Sequence, residues 1–226
     1  MSKKNLSKDN SIHVTDERIN TITSMIATVF AILGGALLIV ESSVHSNIWH
    51  IVAFGIYSLG LISLFLFSAL HHGIDGSEKL NNILRTFDYL SIFVLIAGTV
   101  TPLVLVLERN IFGWTVLGVT WGISIFGIIL RTLIPNIPKH IINTLFILLG
   151  WLPVVLIFGG LKLTIGGLIL LVIGGLFYSI GFIIYVREEP NPKPGFFGFH
   201  EIWHLCVIGG AFCHYLLMYI YVLPHS

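Results

Sequence analysis

Seven long apolar stretches follow one another along the 226-residue chain, with short polar segments between them. A transmembrane α-helix needs about 20 consecutive apolar residues, because the hydrocarbon core of a bilayer is about 30 Å thick. The stretches lie near residues 20–41, 49–71, 86–107, 111–131, 138–158, 163–186 and 199–223. They predict an all-α membrane protein folded as a bundle of seven transmembrane helices.

The composition agrees with lipid as the main solvent of this chain. Only 10% of the residues are charged, whereas soluble domains carry about 25%. The net charge is +1 and the basic residues are scattered between the spans, so we expect no binding to nucleic acid, which requires a concentrated basic patch. We expect one transmembrane domain, residues 20–226, after a polar N-terminus, residues 1–19.

The distribution of Lys and Arg predicts the orientation of the bundle, because cytoplasmic segments of membrane proteins retain basic residues. Ten of the twelve basic residues precede the first span or lie near the segments after the second, fourth and sixth spans. Arg109 and Lys162 lie on the other side. The N-terminus is therefore predicted inside and the C-terminus outside, in a multi-pass protein of the cell membrane.

Three histidines at the predicted cytoplasmic edge are candidate metal ligands. His200 and His204, in the first turns of the seventh span, share one helical face because they are four residues apart. His72 ends the second span and is the candidate third ligand. Ionisable groups at membrane depth are energetically costly, so such a cluster indicates a functional site. Imidazole suits zinc, although spacing alone leaves other imidazole-binding metals open.

Three protein ligands leave one coordination position of zinc open for water or substrate, as in catalytic sites. Asp88, at the start of the third span, is then the candidate general base or orienting group for a water at that position. Ser68 precedes His72 by one turn on the same face and is a candidate hydrogen-bonding partner of a ligand or of that water. Asp88 and Ser68 are thus the predicted catalytic residues.

Three further side chains are assigned lesser roles. His71 competes with His72, but it points about 100° away on a helix, so we expect only one of the two to bind metal. His214 lies about 15 Å beyond His204 along the helix axis, so it either lines a cavity or makes an interhelical hydrogen bond. Glu201 lies off the ligand face and is not expected to be catalytic.

Three separated motifs resemble the haemolysin III branch of the progestin and adipoQ receptor family. The motifs are Ser68-x3-His72, Phe87-Asp88-Tyr89 leading through Gly98 to Thr101-Pro102, and His200-x3-His204 followed by His214. The resemblance extends from the first span to the last. It implies a seven-helix bundle with an inside N-terminus, a zinc ion on His72, His200 and His204, and Asp88 and Ser68 close to a water at the metal.

The family is similar to the alkaline ceramidases, and its receptor members are associated with hydrolysis of lipid amides. The leading hypothesis is therefore a zinc-dependent hydrolase that acts on a lipid amide from the inner leaflet, with membrane lipid as its substrate or ligand. One alternative is a membrane sensor or receptor-like regulator in which zinc ties the second and seventh spans together. Another is the cytolytic activity that the family name suggests. A channel or transporter is disfavoured, because few charged residues other than this cluster lie within spans.

Overall fold

The computed structural model describes residues 11, 13, 15–44, 48–134 and 137–225. The α-helices of this part of the chain are α1 Glu17–Val44, α2 Ile48–Gly73, α3 Glu78–Pro102, α4 Ile111–Leu133, α5 Lys139–Trp151, α6 Val154–Phe158, α7 Ile165–Arg187 and α8 Phe199–Leu217. Seven segments are long and apolar enough to cross a membrane, and α5 and α6 together form the fifth. The prediction of an all-α bundle with seven transmembrane helices is confirmed. Most of the predicted polar N-terminus, residues 1–19, lies outside the described residues.

Short connections join the spans, and successive spans run in opposite directions. Several helices begin at side chains that cap the first turn: Ser77 accepts a hydrogen bond from the first turn of α3, Asn110 from that of α4, and Thr164 from that of α7. These caps satisfy backbone N–H groups that have no partner within the helix. Because successive spans alternate in direction, α1, α3 and α8 begin at the end of the bundle where α2 finishes. We call it the histidine end, because α2 finishes there with His71 and His72.

The second and third spans form the centre of the bundle. In the most apolar part of the third span 72% of the residues are buried, compared with 50% in the second and fewer in the others. Glycines let the two backbones approach closely, as is common in membrane helices. A Cβ atom on Gly60 of α2 would lie 3.0 Å from the Cα atom of Leu95, and one on Gly98 of α3 would lie 3.2 Å from the carbonyl oxygen of Ile56.

Two prolines interrupt the regular helices. The α3 helix ends at Pro102 and continues as a π-helical turn, Leu103–Leu107, and Pro153 lies in the break between α5 and α6. A proline has no backbone N–H and its ring collides with the preceding turn, so it disturbs the hydrogen bonds of a helix. Residues on both sides of the second break, including Trp151 and Val154, line the large cavity described below.

The outside of the bundle is apolar. Large exposed side chains occur on most of the spans, for example Phe30, Phe126, Val172 and Phe212. Water would make such a surface unfavourable, and a contiguous apolar surface of this kind marks contact with another apolar phase. A multi-pass membrane protein accounts for it, since lipid tails are as apolar as these side chains.

Replacement of Gly60 by Leu tests the close contact of α2 and α3. The added side chain would meet the backbone of Leu95 and force the helices apart, so we expect Gly60→Leu to lower the stability by about 1–3 kcal/mol, as overpacking does. Gly118→Leu is the control, because a Cβ atom there meets nothing within 4 Å. Thermal unfolding in detergent measures both variants. If Gly60→Leu melts at the same temperature as Gly118→Leu, the close contact of α2 and α3 is contradicted.

Candidate metal centre

Three buried histidine side chains converge at the histidine end. The Nε2 atom of His200 lies 3.4 Å from Nε2 of His72 and 3.2 Å from Nε2 of His204. One ring nitrogen of each residue lies within 4.8 Å of those of the other two. The first two turns of α8 supply His200 and His204, and the last turn of α2 supplies His72. The structure therefore brings all three predicted ligands together.

The donor set fits a metal ion. Around a tetrahedral ion with metal–nitrogen distances of about 2.0–2.1 Å, two ligand nitrogens lie about 3.3 Å apart. The separations of 3.2 and 3.4 Å at His200 agree with this value. Neutral imidazole nitrogens are good ligands for first-row metals. The cluster can therefore hold such an ion with three protein ligands.

Helix α1 holds two of the three imidazoles in place. Nδ1 of His72 lies 2.5 Å from Oε2 of Glu17, and Nδ1 of His204 lies 3.2 Å from Oγ of Ser24. Metal-binding histidines usually make such a hydrogen bond with the nitrogen that does not bind the metal, because it fixes both the tautomer and the direction of the ring. Both rings are thus oriented with Nε2 toward the centre of the cluster.

Glu17 and Ser24 were not among the residues predicted from the sequence. Both lie on one face of α1, two turns apart, and this face carries small and polar buried residues: Asn20, Ser24, Ala27, Thr28, Ala31 and Gly35. In a membrane helix such residues mark contact with another helix rather than with lipid. These residues indicate from the sequence that α1 packs against another helix, but they do not indicate which one.

Ser68 and Asp88 lie beside the cluster. Oγ of Ser68 is 3.1 Å from Oγ of Ser24, so its link to His204 runs through the second hydroxyl. Ser24, Ser68, Asp88 and His204 line a small cavity of about 30 Å³. Four apolar side chains form the rest of its wall, and its volume is large enough for one water molecule. The two predicted catalytic residues therefore share one small cavity with a candidate ligand.

Asp88 also approaches the histidine pair of α2. One carboxylate oxygen of Asp88 and one ring nitrogen each of His71 and His72 lie within 4.8 Å of one another. His71 is buried, and its ring centroid is 4.8 Å from that of His72. His72 belongs to both groups, whereas His71 belongs only to the group with Asp88. The carboxylate of Asp88 thus lies next to the cluster of three histidines but is not part of it.

Glu201 fastens the beginnings of α1 and α8 to each other. Its Oε1 accepts hydrogen bonds from the backbone N–H of Asp16 at 2.8 Å and from the amide of Asn20 at 3.1 Å. Its Oε2 accepts one from the backbone N–H of Gly198 at 2.7 Å. A buried carboxylate requires several such donors. Glu201 therefore holds α1, with Glu17 and Ser24, against the helix that carries two of the histidines.

A large cavity begins beside this cluster. It has a volume of about 200 Å³ and lies between α3, α5, α7 and α8. At the histidine end Asp88, Tyr89, Tyr185 and His200 line it, and the hydroxyls of Tyr89 and Tyr185 hydrogen-bond at 2.8 Å. The guanidinium of Arg131 lies 5.3 Å from the centroid of the Tyr89 ring. Most of the remaining wall consists of apolar side chains.

His214 lies at the far part of the same cavity. It lines the wall there, and its Nε2 is 3.3 Å from the carbonyl oxygen of Leu171 in α7. Both roles considered for it from the sequence therefore occur together: it lines the cavity, and it makes an interhelical hydrogen bond.

Comparison with known proteins agrees with these motifs. The sequence profile of the family described as Haemolysin-III related matches residues 12–215. The chain belongs to this family. The haemolysin III-related chain is 35% identical to Hemolysin-3 of Bacillus cereus over 93% of its own length and 94% of the relative's. It is 31% identical to the Hemolysin-3 homolog of Bacillus subtilis (strain 168), with 92% and 95% covered.

A more distant relative is human. The haemolysin III-related chain is 26% identical to the monocyte to macrophage differentiation factor of Homo sapiens, over 90% of the chain and 83% of the relative. The resemblance to the haemolysin III branch of the receptor family is thereby confirmed. The matched range, residues 12–215, covers nearly all seven spans and contains His72, His200 and His204.

Substitution of Glu17 tests how α1 supports the cluster. The change Glu17→Gln removes the negative charge beside His72, so we expect the metal affinity to fall about 10- to 100-fold, the usual effect of losing such a partner. Glu41→Gln, near the opposite end of α1, is the matched control. Competition with a chelator, with zinc as the probe ion, measures the affinity. Equal affinity in Glu17→Gln and wild type would show that this carboxylate does not support the ligand.

Proposed function

We propose that the protein is a zinc-dependent hydrolase that cleaves a lipid amide or a related lipid. The observation that carries this proposal is the position of His200. Its Nε2 faces the other two histidines, while the residue also lines the large apolar cavity. A metal ion held by the cluster therefore lies beside a space that fits a hydrocarbon chain.

Zinc suits the donor set better than other common ions. The cluster offers three imidazoles and no thiolate, and catalytic zinc sites often have three protein ligands and one open position. When bound, zinc makes a water molecule more acidic and polarises a carbonyl group. The open position is the feature that distinguishes such a site from a closed structural one.

Asp88 is the proposed general base. It lines both the small cavity beside Ser68 and the large apolar one, so its carboxylate can contact a water molecule in the first and a substrate in the second. It takes a proton from the attacking water as the oxygen bonds to the carbonyl carbon. It then returns the proton to the leaving nitrogen as the carbon–nitrogen bond breaks. The hydroxyl groups of Ser68 and Ser24 hold His204 in position, and both serines line the same small cavity.

The wall of the large cavity suits a lipid substrate. Binding sites for apolar ligands are lined mainly by hydrophobic side chains, with a few polar groups that fix orientation. Here the polar groups Asp88, Tyr89, Tyr185 and His200 lie at the histidine end. An acyl chain in the apolar part would place its amide carbonyl among them, next to the metal cluster.

Replacement of Asp88 tests the proposed chemistry. We expect Asp88→Asn to lower the hydrolysis of lipid amides by about 100- to 10,000-fold, the usual contribution of a general base, and to leave the zinc content unchanged. Asp75→Asn, in the exposed connection after α2, is the control. Purified protein is assayed for bound zinc and for cleavage of a panel of lipid amides and esters.

Zinc-loaded wild type that cleaves none of these lipids, and does not differ from Asp88→Asn, would sink the hydrolase. If removal of zinc then lowers the melting temperature of both proteins, the ion is structural. That outcome supports the alternative of a membrane sensor in which the metal ties α2 to α8.

The proposal includes the orientation of the bundle in the cell membrane. Most of the basic residues that the structure describes lie at the histidine end, and cytoplasmic segments retain such residues. With the N-terminus inside and the C-terminus outside, the metal cluster lies near the cytoplasmic face. The substrate then enters from the inner leaflet.

Cysteine labelling of intact cells tests this orientation. In a chain with Cys206 and Cys213 replaced by Ser, a single cysteine is introduced by Lys162→Cys or by Lys193→Cys; both positions are exposed. We expect a membrane-impermeant maleimide to label the first variant in intact cells and the second only after lysis. The reverse pattern would place the histidine end outside.

A further inference from the structure

We propose that Tyr178 and His214 form a second polar site in the cavity, which binds a hydroxyl or carbonyl oxygen in the middle of a lipid chain. This inference rests on the proposed function only in taking a lipid chain as the occupant of the cavity. Both residues line the cavity wall, in the part away from the histidine end. We call this part the deep end.

Reciprocal glycine contacts position the two rings. A Cβ atom on Gly174 of α7 would lie 2.5 Å from Nε2 of His214, and one on Gly210 of α8 would lie 2.9 Å from the ring of Tyr178. Only a glycine leaves space for a ring at such a distance, since real Cβ atoms do not approach other atoms so closely. Each ring therefore occupies a notch in the opposite helix.

The same spacing occurs on both helices. Gly174 and Tyr178 are four residues apart on α7, and Gly210 and His214 are four residues apart on α8, so each glycine lies one turn before an aromatic residue on the same face. The two rings lie side by side, with centroids 5.5 Å apart. This arrangement gives two polar aromatic groups a defined place on an otherwise apolar wall.

The deep end has more hydrogen-bonding capacity than the described residues use. A phenolic hydroxyl can both donate and accept, and an imidazole has two nitrogens, whereas the hydrogen bond from His214 to the Leu171 carbonyl involves one nitrogen at 3.3 Å. Polar groups in an apolar environment favour a ligand that supplies the missing partner.

The position of this site defines the chemistry of the ligand. His214 follows His204 by ten residues, which is about 15 Å along a helix. A lipid with its amide at the metal cluster would therefore reach the deep end with the middle of its chain. A hydroxyl or carbonyl oxygen there would bind Tyr178 and His214, whereas a plain hydrocarbon chain would offer no partner to the Tyr178 hydroxyl or to the second nitrogen of His214.

Binding of two fatty acids tests the inference without relying on catalysis. The probes are stearic acid and a hydroxystearic acid with its hydroxyl at mid-chain, titrated into detergent-purified protein. We expect wild type to bind the hydroxylated acid about tenfold more tightly, a difference typical of one hydrogen bond in a dry site. Tyr178→Phe keeps the ring in its notch and removes only the hydroxyl, so it should reduce this preference severalfold, mainly through weaker binding of the hydroxylated acid.

Two further variants make the result specific. Tyr215→Phe is the matched control, because this tyrosine donates its hydrogen bond to the carbonyl of Gly34 and should keep the preference. His214→Phe retains a ring but removes the nitrogens and should lose the preference; if it fails to fold, Tyr178→Phe decides.

The outcomes separate this inference from the proposed function. Equal binding of the two acids by wild type, or an undiminished preference in Tyr178→Phe, overturns the second polar site and leaves the hydrolase standing. A preference without any cleavage of the corresponding hydroxylated amide supports the second site and counts against the hydrolase. Binding of neither acid overturns both the second site and the lipid-binding role of the cavity.

Discussion

Hydrocarbon offers no hydrogen bonds, so every polar group inside this bundle depends on a partner supplied by the protein or by a ligand. The histidine end shows how the chain meets this requirement. His72 and His204 each bond to a side chain of α1, through Glu17 and Ser24, while their other nitrogens face His200. A metal ion held by the three imidazoles would satisfy the remaining lone pairs at one point. The structure of this end follows from that need.

The partners come from helices far apart in sequence. The carboxylate of Glu201 holds the start of α1 against the start of α8, and the α2 helix contacts both through His72 and Ser68. Burial of that carboxylate is stable because three N–H donors surround it. Glu201 directly follows His200 in the sequence but is not part of the histidine cluster. It supports the cluster by holding α1 against α8.

Much of the fold could be predicted because lipid imposes a simple rule of length on each span. The spacing of His200 and His204 predicted their shared face, since helix geometry is local. Glu17 and Ser24 were missed because pairing of α1 with α2 and α8 is a long-range property. A cavity lined by His214 was considered from the sequence, but its extent was not predicted, because its walls come mainly from four spans and the break at Pro153 shapes one of them. Local patterns do not contain such distances.

The separation of the ligands along the chain also bears on biosynthesis. Proteins are made from the N-terminus onward, and His72 enters the membrane with the second span, whereas His200 and His204 arrive with the last. A chain that stops before α8 has one of the three imidazoles and lacks Glu201, which holds α1 in place. A metal ion that needs all three imidazoles could therefore be captured only after synthesis of the final helix has begun to complete the bundle. Metal occupancy would then mark a finished chain and separate it from a truncated one.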